Sequence, residues 1–394
     1  MERVPAIRFS EFSEEWEENK IGNITDCIVP GRNKPKLFSG TIPWITTPDI
    51  IGKYIYISKI NLNISIEESK SIGSKIVPTN SIIMSCVGEL GLLAITKNEL
   101  IINQQLHAFL PNRNINVEFL FYSLLTQKKY MVKVATKTTL LYMNKNSCNS
   151  IPIKFPSKQE QEKIASFLSA VDKKIEKLEE KIALQEKYKK AMMQKLFLQE
   201  IRFKADDSSD FPAWEEKKLG DLTKINQGLQ IAISERYTEK VKDSYFYITN
   251  EFLRKGSSKK YFIKEPSASV ICNEDDVLMT RTGNTGQVVT NVNGAFHNNF
   301  FRINYFKNFD KDFLVYFLRM RNTQNMILRY AGISTIPDLN HGDFYRLKID
   351  LPSLKEQQKI ANFLSSLDKK IEATKKQKQK AQEFKKGLLQ QMFV

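Results

Sequence analysis

The strongest constraint on this chain is that it contains one long segment twice. Residues 156–176 read PSKQEQEKIASFLSAVDKKIE and residues 352–372 read PSLKEQQKIANFLSSLDKKIE, so 15 of 21 positions are identical at a constant offset of 196. Upstream of each copy, residues 16–25 (WEENKIGNIT) match residues 214–223 (WEEKKLGDLT). A repeat of this kind decides the architecture before any single residue does. We therefore expect two similar units with pseudo-twofold symmetry, suited to a partner with two similar halves.

The charge of the chain favours a polyanionic partner. It carries 60 Lys and Arg against 44 Asp and Glu, a net charge of +16, and such an excess favours nucleic acid. An acidic membrane surface or an acidic protein is the alternative, and a generally basic proteome would give the same excess without any function. The chain has no N-terminal signal segment and no apolar run long enough to cross a bilayer, so we expect a cytoplasmic protein.

The chain lacks the usual motifs of catalysis and cofactor binding. It has no phosphate-binding or dinucleotide-binding glycine loop, no hydrolase nucleophile elbow and no Asn/Asp-Pro-Pro-aromatic run of an amino-methyltransferase. Nuclease carboxylates vary too much to be excluded by pattern, but the acidic run at 274–276 precedes a predicted strand and is interpreted as a solvated turn. We expect no catalytic residue and no cofactor in this chain.

Cysteine and histidine spacing predicts no metal site. The cysteines are far apart and form no Cys-x-x-Cys pair, which indicates free thiols in a reducing compartment instead of a disulfide framework or a zinc site. The histidines also lack metal-ligand spacing. These residues are Cys27, Cys86, Cys148, Cys272, His107, His297 and His341.

Each half is expected to end in one long helix. Ser157 with Glu160, and Ser353 with Glu356, have the Ser-x-x-Glu spacing of a capping box, and a helix over residues 157–199 would be about 65 Å long. The apolar residues recur every three or four positions, as in a coiled coil. So narrow a seam needs a partner, and we favour antiparallel packing within the chain over packing against a second chain. The seam residues are Leu168, Val171, Ile175, Leu178 and Ile182, then Leu364, Leu367, Ile371 and Leu388.

The segments before the helices are predicted to be α+β domains. Short β-type runs broken by Gly, Pro and Asn predict strands in both, at 42–46, 81–85 and 92–96, and at 245–249, 276–280 and 287–290. Helices are expected near 117–134 and 311–330. The predicted organisation is an N-terminal segment near the C-terminal helix (1–18), a first domain (19–155), a central helix (156–200), a linker (201–216), a second domain (217–351) and a C-terminal helix (352–394).

Polar and basic loops of these domains are the candidate DNA contacts. Lys and Arg on loops suit phosphates, and Arg, Asn and Gln can hydrogen-bond base edges. The repeat aligns two glycine-containing loops, residues 84–91 and 279–286, and two amide pairs that follow strand-like runs. The glycines are interpreted as serving the fold, and the amides could equally read bases or bond a neighbouring strand. The candidates are Arg32, Asn33, Lys34, Lys36, Gln104, Gln105 and Lys137, then Arg236, Lys255, Lys259, Lys260, Arg281, Asn284, Thr285, Asn298 and Asn299.

The chain resembles the specificity subunits of type I restriction–modification systems in three features. These are the duplicated segment, the two Trp-x-x-x-x-Leu/Ile-Gly-x-x-Thr openings and the order domain–helix–domain–helix. The resemblance covers nearly the whole chain. It implies two target recognition domains, each reading one half of a bipartite DNA site, and helices that set the gap and dock two modification subunits. It also implies that S-adenosylmethionine binds to the modification subunits, which methylate adenine, and that a separate restriction subunit translocates and cuts DNA.

Two rival functions are an enzyme and an adaptor. The enzyme would be a self-contained DNA methyltransferase or nuclease with its own recognition domains, and methyl transfer by the chain alone would favour it. The adaptor would bind proteins through its coiled coil and carry its charge incidentally. Salt-dependent binding to one split DNA sequence would exclude the adaptor.

Overall fold

The chain divides into two units of one plan. The structure is a computed structural model that describes residues 4–31, 33–137, 139–254, 256–332 and 337–393. The first unit comprises Met1–Glu180 with Lys375–Val394, and the second comprises Lys181–Thr374. Each unit therefore contains one mixed domain and a stretch of both long helices. The linear order of segments predicted above does not show this division, because it treats each helix as a single segment.

Among the described residues, the first unit contains two larger sheets and two short ribbons. Its strands are β1 (Glu17–Lys20), β2 (Thr25–Ile28), β3 (Ile42–Ile45), β4 (Tyr54–Ile55), β5 (Asn63–Ile64), β6 (Ile82–Ser85), β7 (Leu93–Thr96), β8 (Ile101–Ile102), β9 (Leu106–Pro111), β10 (Thr136–Lys137), β11 (Leu141–Tyr142) and β12 (Pro152–Phe155). The main sheet has the order β2-β9-β6-β7-β4, and the smaller sheet has the order β5-β3-β8. The ribbons are β1-β12 and β10-β11.

The second unit has a similar plan, with four strands in each of its two larger sheets and one ribbon among the described residues. Its strands are β13 (Glu215–Lys218), β14 (Thr223–Gln227), β15 (Ser244–Ile248), β16 (Tyr261–Lys264), β17 (Ile271–Cys272), β18 (Val277–Thr280), β19 (Val288–Val289), β20 (Gly294–Phe296), β21 (Phe300–Tyr305) and β22 (Lys348–Leu351). They form β14-β21-β18-β19, β16-β15-β20-β17 and the ribbon β13-β22. The strands expected from β-type runs are confirmed in both units.

The expected helices are confirmed as well, each domain helix being split into two. The helices are α1 (Ile21–Ile24), α2 (Ile66–Ser71), α3 (Val117–Thr126), α4 (Lys128–Val134), α5 (Lys145–Asn149), α6 (Lys158–Phe197), α7 (Leu219–Leu222), α8 (Lys311–Arg319), α9 (Arg321–Ala331), α10 (His341–Tyr345) and α11 (Leu354–Gln391). In the part of the chain that the structure describes, none of them is both long and apolar enough to span a membrane.

The main sheet of the first unit is buried on both faces. Along β6, Ile82 and Met84 belong to one core and Ile83 to another, because successive side chains of a strand point to opposite faces. The first of these cores also contains Phe119 of α3 and Leu168 of α6. Strand β18 alternates between two cores of the second unit in the same way.

Within each unit, the stretches of α6 and α11 pack antiparallel. The ion pairs that join them are Glu179–Lys378 (2.8 Å) and Asp172–Lys385 (2.5 Å) in the first unit, and Asp368–Lys189 (2.6 Å) in the second. In the first unit, residue numbers rise along α11 as they fall along α6. In the second, Leu196 shares a core with Ile360 and Leu364 beyond that ion pair. The predicted α+β class with antiparallel long helices is therefore confirmed.

The seam residues differ in burial. Leu168 and the seam residues of α11 are buried, whereas those in the middle of α6 are only half-buried. The buried set is Leu168, Leu364, Leu367, Ile371 and Leu388, and the half-buried set is Val171, Ile175, Leu178 and Ile182.

The predicted capping boxes are wrong. Glu160 binds Arg8 through both carboxylate oxygens, at 2.8 and 2.7 Å, and Glu356 binds Arg202 at 3.1 and 2.8 Å. Ser353 Oγ is buried without a hydrogen-bond partner among the described residues. A bidentate, charge-assisted pair is stronger than a neutral capping bond, so the two buried glutamates serve to tie the preceding chain segment to each helix.

Two further positions of the repeats also have structural roles. The Gln161 side chain accepts from the N–H of Asn116 (2.9 Å), and that of Gln357 accepts from the N–H of Asp310 (2.8 Å). Each glutamine thereby fixes the start of a domain helix, α3 or α8, against a long helix. A Cβ at Gly22 would lie 2.7 Å from that of Asn149, so this position of the opening motif requires a glycine.

Candidate nucleic-acid interface

In the first unit, the polar loops selected from the sequence are joined into one cluster. We call it the first loop cluster, comprising the described residues of 31–36 together with 84–91, 103–105 and 141–144. Gln104 Nε2 donates to the carbonyls of Gly31 (3.1 Å) and Asn33 (2.8 Å). The Cys86 N–H donates to Gln105 O at 2.8 Å, and the Gly88 N–H donates to Leu141 O at 2.8 Å. Backbone pairing therefore assembles segments that are far apart in sequence.

The second loop cluster, residues 227–230, 250, 279–286, 298–299 and 337–341, has the same construction. The Arg281 N–H donates to Asn299 O (2.7 Å), and the Leu339 N–H donates to Arg281 O (2.9 Å). These bonds match those of Cys86 and Met143 in the first cluster, where the Met143 N–H donates to Cys86 O at 2.9 Å. The predicted alignment of the two glycine loops is thus reproduced in space.

Two candidate DNA contacts in the second cluster are engaged within the protein. The Arg281 guanidinium binds both oxygens of Asp338, at 3.0 and 2.6 Å, and Gln227 Oε1 at 3.2 Å. Thr285 is buried, and its hydroxyl donates to Pro337 O at 2.6 Å. Arg281 is therefore neutralised by a carboxylate, and the Thr285 hydroxyl is covered within the protein. That these two residues contact DNA stays a prediction.

Arg236 is also held internally. Its Nε and Nη2 donate to Ile231 O at 3.1 and 2.7 Å, and the guanidinium lies 5.2 Å from the centre of the Tyr247 ring. A guanidinium with these contacts fixes the segment that follows β14. These contacts give Arg236 a structural role, and its selection as a DNA contact stays a prediction.

The amide pairs divide between structural and exposed roles. Gln104 ties its neighbouring loop, as described above, whereas Gln105 is exposed. Asn298 Nδ2 donates to Gln230 Oε1 at 2.7 Å, while its Oδ1 is buried without a partner among the described residues. Asn299 is half-buried, and its N–H donates to Nδ1 of His297 at 3.1 Å. Burial lowers the pKa of His297 to about 4, so the ring is neutral and can accept.

The remaining candidates lie on the surface of the loops or outside the described residues. Arg32 and Lys255 fall outside the described residues. The exposed candidates are Asn33, Lys34, Lys36, Lys137, Lys259, Lys260 and Asn284. Five of these seven are lysines, whose flexible, point-like charges suit phosphates better than base edges.

The sequence reading missed several polar residues of the second cluster. Besides Asp338, these are Gln227, Gln230 and His341, whose Nε2 donates to Gln227 Oε1 at 2.7 Å. The repeat contained a signal for a residue next to His341. Asn144 and Asn340 occupy equivalent places in the repeat, and both cap the short helix that follows, α5 or α10.

Each loop cluster belongs to a domain that is fastened to both long helices by the same three side chains. In the first unit, Tyr122 donates to Asp172 (2.6 Å), which pairs with Lys385. In the second, Tyr316 donates to Asp368 (2.8 Å), which pairs with Lys189. Burial, and then the hydrogen bond to the carboxylate, raise the pKa of both tyrosines. Both hydroxyls therefore remain protonated donors.

The first unit adds a buried lysine to this fastening. Lys53 Nζ contacts the Glu118 carboxylate (3.1 Å), the Tyr122 hydroxyl (2.9 Å) and Ser169 Oγ (2.7 Å). Burial lowers the pKa of Lys53, and hydrogen bonding to Glu118 opposes that shift. The lysine links the domain to α6, so the position of the first loop cluster depends on a polar network as well as on apolar packing.

The structure also brings together three residues that the sequence spacing kept apart. Cys86, His107 and Cys148 are all buried, and one ligand-type atom of each lies within 4.8 Å of the others. The expectation that cysteines and histidines are scattered is therefore wrong for these three. Spacing could not reveal them, because strand pairing and helix α5 bring them together.

The comparison with known proteins agrees with this architecture. The family described as Type I restriction modification DNA specificity domain matches residues 13–186 and 213–383. The MjaIX specificity subunit of Methanocaldococcus jannaschii is 25% identical over 393 residues, covering 92% of this chain and 89% of that one. The MjaVIII specificity subunit of the same organism is also 25% identical, over 405 residues, covering 95% and 91%.

A solved structure shows the same fold. The S subunit of a type I restriction–modification system from M. genitalium superposes with a TM-score of 0.59 at 17% identity, over 99% of both chains. The family model matches once in each unit, and the two matches together span most of the chain. This protein therefore belongs to the family of type I restriction–modification DNA specificity subunits.

Proposed function

We propose that each unit reads one half of a bipartite DNA site through its loop cluster. The observation that carries the proposal is that two units of one plan present equivalent loop clusters whose side chains differ. Equivalent construction suits two equivalent groove contacts, and different side chains suit two different half-sites. The exposed lysines beside the clusters would hold the phosphates.

In this proposal the long helices set the gap between the half-sites. Each domain is fastened to both helices by the Tyr–Asp–Lys contact. The Glu–Arg pair also ties the chain segment before each domain to one of these helices. A domain held in this way moves with its helices, so helix length would determine the separation of the two readers. The helices would also dock two modification subunits, which bind S-adenosylmethionine and methylate adenine, and restriction subunits would join that complex. The complex would act in the cytoplasm.

The decisive experiment lengthens both helices. One heptad is inserted after Glu180 and one after Thr374, where the two units divide, so that pairing within each unit is retained. Each insertion adds about 10 Å, and methylome sequencing of a host that carries the chain with its modification partner reports the new site. We expect a changed gap between two unchanged half-sites.

A matched control replaces seven residues at each place without adding any, and the site should then stay the same. Altered half-sites with an unchanged gap would contradict the ruler function of the helices. The rival enzyme is tested separately by incubating the purified chain with labelled S-adenosylmethionine and DNA. Methyl transfer without a partner would overturn the assignment of chemistry to other subunits.

A further inference from the structure

The group formed by Cys86, His107 and Cys148 has the composition of a metal site. Cys86 follows β6, His107 lies in β9 and Cys148 lies in α5. The two sulfur atoms are 3.4 Å apart. Ligands at about 2.3 Å from a tetrahedral zinc ion stand about 3.8 Å apart, so a small outward movement of the thiols would admit the ion.

One atom of this group is without a partner. His107 is 4% exposed, and its Nδ1 is buried without a hydrogen bond among the described residues. An unpaired polar atom in a core costs free energy, and a bound cation would remove that cost. A disulfide between the two cysteines would leave the nitrogen unpaired, so the histidine distinguishes a metal site from a redox pair.

In the second unit, the positions equivalent to Cys86, His107 and Cys148 contain residues that do not bind zinc. Strand pairing places His107 opposite Met84 and Phe301 opposite Met279, and Cys148 and Phe344 occupy the fourth place of α5 and α10. In the second unit, Phe301 and Phe344 form an edge-to-face pair with ring centres 5.1 Å apart.

The third position differs in the same way. Cys86 corresponds to Arg281, each lying two residues after the paired methionine. Three positions that contain an aromatic pair and an arginine in one unit therefore contain two thiols and an imidazole in the other. A core that needed only packing could repeat the phenylalanines, so the three differences together indicate a shared purpose.

We propose that Cys86, His107 and Cys148 bind one zinc ion, which fastens the first loop cluster to its sheet. The ion would join the glycine loop, β9 and α5, whereas in the second unit the Phe301–Phe344 contact joins β21 and α10, the equivalents of β9 and α5. Cys27 pairs with Phe109 in β2–β9 and so projects from the same face of the sheet as His107. It would be the source of a fourth ligand, although it lies outside the group of three.

The buried cysteine of the second unit has different surroundings. Cys272 belongs to no such group among the described residues, and its sulfur lies 3.7 Å from Val292 O.

The test is the metal content of the full-length chain, purified under reducing conditions without chelator and measured by mass spectrometry of the metals. We expect about one zinc ion per chain. Cys86→Ser and Cys148→Ser should each weaken zinc binding by more than about 10-fold, the loss that even an outer contact of a metal site can cause. Cys272→Ser is the matched control, a buried cysteine outside the group, and it should retain the metal.

Two further measurements keep the test decisive if a serine variant does not fold. Cobalt added to the stripped wild-type chain should produce the strong absorption of thiolate–cobalt bonds. The double variant His107→Phe with Cys148→Phe copies the packing of the second unit, and it should fold without binding zinc. A wild-type chain that is free of zinc and develops no cobalt absorption, or that contains a Cys86–Cys148 disulfide, would overturn the proposal.

Discussion

The two units share their contacts with the long helices and differ in their loop clusters. Both use a glutamate–arginine pair, a glutamine at the start of a domain helix and a tyrosine–aspartate–lysine contact, and these fall largely on the repeated sequence. In and directly beneath the clusters, the first unit has Cys86, His107 and Cys148 where the second unit has Arg281, Phe301 and Phe344. The difference indicates that the shared residues attach each domain to the helices, whereas the side chains of the loop clusters have diverged between the two units.

The largest expected effect concerns the buried glutamates Glu160 and Glu356. Both bind an arginine, but they differ in their other hydrogen bonds. Glu356 also accepts from Trp214 Nε1 at 3.0 Å, whereas Trp16 Nε1 has no partner among the described residues. Arg8→Ala should therefore cost about 3–5 kcal/mol, because a buried carboxylate loses its cation. Arg202→Ala should cost less, because the tryptophan bond remains.

Hydrogen exchange of each unit during denaturant titration measures the two losses separately. Lys217→Ala, which removes an exposed ion pair with Glu215, is the control and should change stability little. Equal losses for the two arginine variants would show that the tryptophan bond does not compensate.

The next effect compares the two tyrosines that fasten the domains. Tyr122→Phe and Tyr316→Phe each remove a hydrogen bond to a carboxylate, which is about 1.5–3 kcal/mol. The loss should be greater for Tyr122, because its hydroxyl also bonds Lys53, whose side chain is only 7% exposed. Thermal unfolding of the two variants side by side checks the order, and a greater loss for Tyr316→Phe would contradict the role given to the lysine.

Binding to DNA should depend on the exposed lysines of both units to a similar degree. Lys34→Ala with Lys36→Ala, and Lys259→Ala with Lys260→Ala, should each weaken binding to all sequences alike. Removing one lysine–phosphate ion pair should reduce the slope of log affinity against log salt by about 1. Titrations at several salt concentrations, with Lys217→Ala as control, measure this. A change of preferred sequence in either double variant would assign those lysines to base reading instead.

The smallest expected effect is a difference in the pH dependence of the two glycine loops, residues 84–91 and 279–286. Hydrogen bonding to Arg281 lowers the pKa of Asp338 below its ordinary 3.8. The stabilisation is therefore complete above that ordinary value and is lost as the pH falls through the lower, folded-state value. Because both side chains are partly exposed, Asp338→Asn should cost about 1 kcal/mol or less.

Hydrogen exchange in residues 279–286 between pH 5 and 3 would follow this loss. The variant should already show the loosened loop at pH 5, and residues 84–91 of the first unit should be unaffected by the substitution. Unchanged exchange in the second loop would show that Asp338 does not hold it.

The long-range layout was accessible to sequence reading, and the sites were less so. Strands, domain helices and both long helices follow from hydrophobic periodicity, which is a local property of the chain. The capping boxes failed because Glu160 and Glu356 found distant arginines. The repeated Ile-Arg-Phe at residues 7–9 and 201–203 was a usable signal for those arginines, and it was not read.

The candidate DNA residues show the same limit. Lysines on loops were correctly expected at the surface, because a charged flexible side chain stays in water unless it is paired. Arg236, Arg281 and Thr285 each have a partner within the protein that their positions in the sequence did not reveal, either many residues away or a neighbouring carbonyl. A polar residue alone does not reveal whether it will be hydrogen-bonded by its own protein.

By itself, the sequence determined that the protein is two copies of one unit, each ending in a long helix. Repeats and hydrophobic periodicity are properties of the residue order and need no knowledge of tertiary contacts. Only the tertiary structure decided which side chains meet. Cys86 and Cys148 are 62 positions apart, and their contact exists because strand pairing and the docking of α5 close the intervening chain. Such closure depends on the whole core, which no local pattern encodes.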